Sequence, residues 1–210
     1  MAYSSIWYFS KIPLELTDLI CREVSSFDNQ LQTSEIIQTT NNQLDIDKRR
    51  RSSKHSWIPS SHWIHGLLWH YVTLANRENF LYDIECIDGG MVQYTKYNKG
   101  DFYAWHSDTL IDYSYKPKYT RTETESIAED KFNLLGESSR KLSFVMQLTD
   151  ESEYEGGEVQ VMDSTGELYS VPRERGAVII FDSRLTHRVR KVRSGIRKSL
   201  VGWAVGPRWR

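Results

Sequence analysis

The sequence predicts a mainly β protein whose short strands close into a sandwich or barrel, with helices packed outside it. Three observations carry this. Beyond residue 80, short runs rich in Val, Ile, Phe and Tyr recur, separated by turn residues in "YEGG", "DSTG", "RERG" and "RSG". The two segments with apolar residues at helical spacing both precede residue 79. A length of 210 residues suits one domain with a sizeable core. Residues 1–79 are read as a strand and supporting helices integral to the domain, and residues 80–210 as its barrel.

In chain order, "SIWYFSKIP" predicts a strand. "PLELTDLICREVSSF" predicts a helix with Leu14, Leu16, Leu19 and Ile20 on its apolar face and Pro13 at its start. The polar stretch 38–61, broken by Pro59, reads as a loop. A second helix begins near a Ser61 cap, carries Ile64, Leu67, Leu68 and Val72, and closes at Asn76. "FLYDIECI" and "MVQYTKY", separated by "DGG", predict a hairpin. "DFYAWHSD" follows, then a polar segment over 109–138 that is too long for an ordinary connection. Five further strands are predicted: "KLSFVMQLT", "GEVQVM", "ELYSVP", "AVIIFD" and "RKSLVGWAV".

With 27 basic and 28 acidic residues the net charge is −1, which sets up no general field toward nucleic acid or membrane. The basic runs Lys48–Arg51 and 188–198, and the acidic 150–158, read as solvated surface. Cys21 and Cys86, the only cysteines, allow at most one disulfide. The N-terminus lacks the basic start and apolar run of a signal peptide, and no stretch reaches the length of a membrane span. The expectation is a cytoplasmic protein with no membrane partner.

Residues two apart on a strand share a face, so Phe102, Ala104, His106 and Asp108 are expected to point one way. His106 and Asp108 alone are as compatible with a hydrogen-bonded pair on a loop. His187, after the apolar "AVIIF", offers a third ligand. Two imidazoles and a carboxylate leave three open positions on an octahedron, which favours Fe(II) with an oxidising co-substrate; zinc with these ligands would be hydrolytic. Arg197, Ser199, Val201 and Trp203 share a face of the last strand. A buried guanidinium there needs a partner, either a protein acid or a small dicarboxylate gripped in bidentate fashion. His55, His62, His65 and His70 lack acids or cysteines in register and read as packing residues beside Trp63 and Trp69.

Taken together, "KYNKGDFYAWHSD", "RKLSFVMQLTDESEYEGGEVQV", "GAVIIFDSRLTHRVRKV" and "SGIRKSLVGWAV" resemble the Fe(II)- and 2-oxoglutarate-dependent oxygenases, in particular their prolyl 4-hydroxylase-like branch, over roughly residues 80–207. The resemblance implies a double-stranded β-helix, a jelly-roll or cupin-like barrel. It assigns Fe(II) to His106, Asp108 and His187 and the distal carboxylate of 2-oxoglutarate to Arg197. It places Tyr97, Ser143 and Gln147 around the co-substrate and Trp203 as an aromatic wall. Dioxygen is the implied co-substrate and ascorbate a supporting reductant. Gln147 stands where many members carry tyrosine. Asp108 argues for hydroxylation over halogenation, which needs that position free.

The branch implies a prolyl residue of a protein or peptide as substrate, with 109–138, including Tyr113, Tyr115 and Tyr119, as a lid-like loop. Two alternatives stand beside it. One is a nucleic-acid-dealkylating oxygenase, suggested by "WHSD" and the basic 188–198. The other is a non-catalytic β-barrel binding module in which the His and Asp are incidental.

Overall fold

The computed structural model describes residues 6–34, 37–40, 43–46, 50–110 and 137–209. The lid-like reading of 109–138 falls on residues 111–136, outside those described. The chain runs β1 (Trp7–Lys11), α1 (Leu14–Ser25), β2 (Gln32–Thr33), β3 (Ile37–Thr40), β4 (Gln43–Ile46), β5 (Arg51–Ser52), β6 (Lys54–Ile58), α2 (Trp63–Ala75), β7 (Cys86–Ile87), β8 (Val92–Tyr97) and β9 (Phe102–His106). It continues through β10 (Ser138–Gln147), β11 (Tyr154–Gly156), β12 (Val159–Met162), β13 (Leu168–Ser170), β14 (Ala177–Asp182), β15 (Thr186–Val189), β16 (Val192–Gly195) and β17 (Arg197–Pro207).

Two antiparallel sheets form the barrel. The larger has the order β1-β14-β10-β17-β8-β6-β2, with β7 also paired to β17; the smaller has the order β13-β12-β15-β9-β5. The chain crosses repeatedly between them: β8 lies in the larger sheet, β9 in the smaller, β10 in the larger, β12 and β13 in the smaller, then β14, β15 and β17 by turns. This is the double-stranded β-helix.

Alternation along the strands sorts side chains into two cores. One face of the larger sheet, carrying Tyr94, Leu142, Phe144, Met146, Val178, Ile180 and Leu200, packs on Ile20 and Val24 of α1 and on Ile64, Leu68 and Val72 of α2. The other face sends Tyr97, Val145, Ala177, Ile179 and Phe181 toward Val159, Val161 and Val189 of the smaller sheet. β14 is thus buried on both faces, which is why "AVIIFD" is a continuous apolar run.

The structure corrects several sequence readings. The 38–61 stretch is not a loop: β6 pairs with β8 from Lys54↔Lys96 to Ile58↔Val92. Only Ser56 and Ile58 of that strand are buried, so its sequence looks polar. The core face of α1 is Thr17, Ile20 and Val24, while Leu14 and Leu16 are exposed. α2 is capped by His62, whose Nδ1 accepts from the Ile64 N–H at 3.4 Å, and not by Ser61. "DGG" makes no hairpin. β7 and β8 pair with successive stretches of β17, and the turn at Asp88–Gly90 joins them along one edge. The strand expected over 80–87 shrinks to Cys86–Ile87. Among the described residues, no helix is long and apolar enough to cross a membrane.

Candidate metal centre and its cavity

His106 ends β9 and His187 lies on β15, and the two face each other directly across the ladder of the smaller sheet. Their rings are 4.2 Å apart. Asp108 lies beyond the strand, where its backbone N–H donates to the Ser183 carbonyl at 2.9 Å. The His187 Nε2 is 3.3 Å from Asp108 Oδ2, and the His106 Nε2 is 3.7 Å from Oδ1. One ligand-type atom from each residue falls within 4.8 Å of the others.

His106 and Asp108 do converge, but not through simple alternation. The register between β9 and β15 slips between His187↔His106 and Val189↔Tyr103, leaving Ala104 and Trp105 opposite a single residue. This bulge turns Tyr103, rather than Ala104 or Phe102, onto the face of His106. The Tyr103 ring stacks on the His106 imidazole at 3.6 Å, 15° from parallel.

Hydrogen bonding fixes the tautomers. The His106 Nδ1 is 2.8 Å from the Ala104 carbonyl and the His187 Nδ1 is 2.9 Å from the Leu185 carbonyl. A carbonyl only accepts, so each Nδ1 carries a proton and each Nε2 is the nitrogen turned toward Asp108. Burial, and then the neighbouring His187, push His106 down to about 4, so it is neutral at pH 7. Burial alone would raise the Asp108 carboxyl. The His187 and His106 imidazoles and the Ser143 hydroxyl outweigh it and hold that carboxyl well below the usual carboxylate range. Burial would likewise lower His187, but the facing Asp108 raises it above its ordinary value. A cation bound between these groups would take the place of a proton there. Two neutral imidazoles and an ionised carboxylate on one side of an otherwise open site suit a ferrous ion.

His106, Asp108 and His187 line a cavity of about 180 Å³. Arg197 lies on its wall and is 1% exposed. Its guanidinium donates to Ser199 Oγ at 3.2 Å and to Gln147 Oε1 at 2.9 Å. Its Nε has no hydrogen-bond partner. A buried cation with unused donors fits a small anion such as the free carboxylate of a keto-diacid.

The remaining sequence candidates fall into different places. Tyr97 lines the cavity, with its ring 5.4 Å from the Arg197 guanidinium. Trp203 lines it too, beneath Arg140, whose guanidinium lies 3.9 Å above the indole and bonds Asp88 at 2.8 Å. Ser143 donates to Asp108 Oδ2 at 2.6 Å, so it meets the candidate ligand. Gln147 reaches the cavity only through Arg197.

Sequence reasoning passed over four residues. Arg51, assigned to solvated surface, is a correction: it lines the cavity, donates to Gln93 Oε1 at 3.0 Å and lies 4.7 Å from the Tyr103 ring. Its signal is hidden because β5 is two residues long. Tyr103 is masked by the bulge, Arg140 by its place in a basic-polar stretch, and Ser183 by having no motif of its own. In the basic 188–198, Arg188 donates to Gln160 Oε1 at 2.7 Å, and Arg190 and Arg193 lie 3.8 and 3.9 Å from Glu158 and Glu155. Of the other histidines, His55 Nδ1 meets Ser34 Oγ at 2.9 Å and His62 Nε2 lies 3.6 Å from Glu23.

"EGG" has a structural use here. Gly156 and Gly157 have φ of +75° and +65°. A Cβ on Gly157 would sit 3.1 Å from the Arg197 Cδ, so the bare backbone is the bed on which the Arg197 stem lies. A Cβ on Gly156 would come within 2.2 Å of the Lys191 carbonyl. Gly156→Ala is expected to cost at least about 2 kcal/mol, since left-handed backbone alone costs about 1–2 kcal/mol for a non-glycine residue. A lower urea midpoint at unchanged slope is the readout; a midpoint equal to the parent's would refute it.

Residues 92–205, more than half of the 210, match the family described as the 2OG-Fe(II) oxygenase superfamily. Among curated relatives, a PKHD-type hydroxylase of Synechococcus sp. (strain CC9311) is 45% identical over 62 residues, 30% of this chain and 28% of that protein. Another, from Prochlorococcus marinus, is 32% identical over 112 residues, 53% of this chain and 40% of that protein. In these alignments the chain spans less than half the relative's length. Among solved structures, a Pseudomonas putida prolyl-4-hydroxylase has a TM-score of 0.65 at 17% identity, covering 96% of this chain and 93% of that one. A Trichoplax adhaerens prolyl hydroxylase, in complex with a hypoxia inducible factor oxygen degradation domain peptide fragment, has a TM-score of 0.67 at 12% identity, covering 95% and 83%. At these identities the likeness is one of fold.

Proposed function

Since this chain belongs to the 2OG-Fe(II) oxygenase superfamily, we propose that it hydroxylates a prolyl residue of a protein or peptide, using Fe(II) on His106, Asp108 and His187 and 2-oxoglutarate anchored by Arg197. One observation carries the reading: a two-histidine, one-carboxylate cluster and a buried guanidinium with an unpartnered Nε line the same small cavity. When bound, ferrous iron, 2-oxoglutarate and dioxygen supply the oxidation, with release of succinate and carbon dioxide and insertion of one oxygen atom into a C–H bond.

The chain's own residues prepare that chemistry. The Ala104 and Leu185 carbonyls hold the imidazoles in the tautomer that offers Nε2. Ser143 steadies the ionised Asp108. Arg197 balances an anionic co-substrate, with Gln147 and Ser199 setting its fork. Val145, Val159 and Phe181 line the cavity and keep water from the reacting atoms. The prolyl assignment is supported by the PKHD-type relatives and by the prolyl hydroxylase folds. Two free cysteines suit a cytoplasmic setting.

The test is mass spectrometry of proline-containing peptides incubated with the protein, Fe(II), 2-oxoglutarate and ascorbate. The expected result is a gain of one oxygen atom on proline, with succinate formed in step. Oxygen transfer only to alkylated oligonucleotides would move the substrate to nucleic acid. A protein that takes up neither Mn(II) nor 2-oxoglutarate would be a binding module.

A further inference from the structure

The loop between β14 and β15, residues 183–185, meets two of the three metal-ligand residues. The Ser183 carbonyl accepts from the backbone N–H of Asp108 at 2.9 Å and of Thr109 at 3.3 Å. The Leu185 carbonyl accepts from the His187 Nδ1 at 2.9 Å. The Ser183 hydroxyl lies 2.9 Å from that of Ser143, which gives its own proton to Asp108 Oδ2 at 2.6 Å. A hydroxyl has one proton to donate, so Ser183 must donate to Ser143. Ser183 and Ser143 are 0% and 1% exposed, so bulk water is no substitute.

The loop is clamped from its outer side. Asp182 Oδ1 accepts from the Arg184 N–H at 2.8 Å, and the Arg184 guanidinium returns to Asp182 Oδ2 at 2.5 Å. The Tyr82 hydroxyl donates to the same oxygen at 2.6 Å. Near the C-terminus, the Trp209 ring meets the Arg184 guanidinium at 4.0 Å and the Lys141 ammonium at 3.6 Å, and the Lys141 carbonyl accepts from the Ser183 N–H at 3.1 Å.

We propose that the Ser183–Leu185 loop, pinned by Trp209, is the positioning element of the metal centre, and that the series Ser183–Ser143–Asp108 sets the carboxylate's orientation and so the affinity for metal. This rests on the metal reading above. These residues touch neither substrate nor iron and act through Asp108 and His187. A polar series in a buried site is cooperative, so breaking its outer link weakens the inner one.

The experiment measures Mn(II) affinity and the visible spectrum of bound Co(II), without co-substrate, in the parent, Ser143→Ala, Ser183→Ala, the double variant and Trp209→Leu. Ser183→Ala and Trp209→Leu are expected to weaken Mn(II) binding about 10–100-fold and to shift the Co(II) bands. The double variant is expected to bind no more weakly than Ser143→Ala, because the links lie in series. Should Ser183→Ala not fold, Ser183→Cys, close in size but a poor donor, replaces it. Affinities within about twofold of the parent, or single losses that multiply in the double variant, overturn the proposal. A parent that binds no Mn(II) overturns the metal reading instead.

Discussion

Asp108→Asn loses Fe(II) and Mn(II) binding by more than about a hundredfold and forms no succinate, while its circular dichroism stays close to the parent's and its unfolding midpoint falls modestly. The size of the metal effect follows from position: loss of even a partner that orients a ligand costs about 10–100-fold, and Asp108 is the only anion of the cluster. Asparagine keeps the shape and an oxygen to accept from Ser143, so the fold is retained; the midpoint falls because the carboxylate's interactions with His187 and His106, which outweigh its desolvation, are lost. Metal titration by electron paramagnetic resonance and succinate assay are the readouts. A variant that binds Mn(II) within about threefold of the parent and turns over would show that the carboxylate is no ligand.

The chemistry was legible in the sequence because ligand-type residues are scarce and their surroundings diagnostic. Six histidines are present, and His187 alone follows a strand apolar enough to be buried on both faces. Arg197 heads a strand whose alternate residues Ser199, Val201 and Trp203 face inward, and a cation there raises the question of its partner. Illegible features depend on what lies opposite. The bulge at Ala104 and Trp105 exists only relative to β15, so strict alternation named Phe102 and Ala104 where Tyr103 belongs. β6 buries two of its five side chains, too few to mark a strand in a polar stretch. Arg51 sits in a basic run and gains meaning only beside Gln93 and Tyr103. Ser183 carries no periodicity at all; its role comes from contacts with residues forty and seventy-five positions away, Ser143 and Asp108.

Arg197→Met provides the opposite signature to a structural arginine: co-substrate binding collapses while the apo protein stays about as stable as the parent. The guanidinium is held by two neutral acceptors, Gln147 and Ser199, and its Nε has no partner. A buried cation without a paired anion carries a desolvation penalty of several kcal/mol, and losing the donors to Gln147 and Ser199 costs about 1–3 kcal/mol each. The two effects are of similar size and largely offset, and methionine fills the space left beside Gly157. Binding runs the other way. Two charge-assisted hydrogen bonds to a carboxylate, about 1.5–3 kcal/mol each, amount to roughly 10²–10⁴-fold in affinity for 2-oxoglutarate. Thermal melts with and without 2-oxoglutarate in the presence of Mn(II) separate the two effects, because a ligand that binds the folded state raises the parent's midpoint and leaves the variant's unmoved. A variant that is markedly less stable yet still shifted by 2-oxoglutarate would make Arg197 a strut of the fold and send the search for the anchor to Arg51 or Arg140, the other cations on the cavity wall.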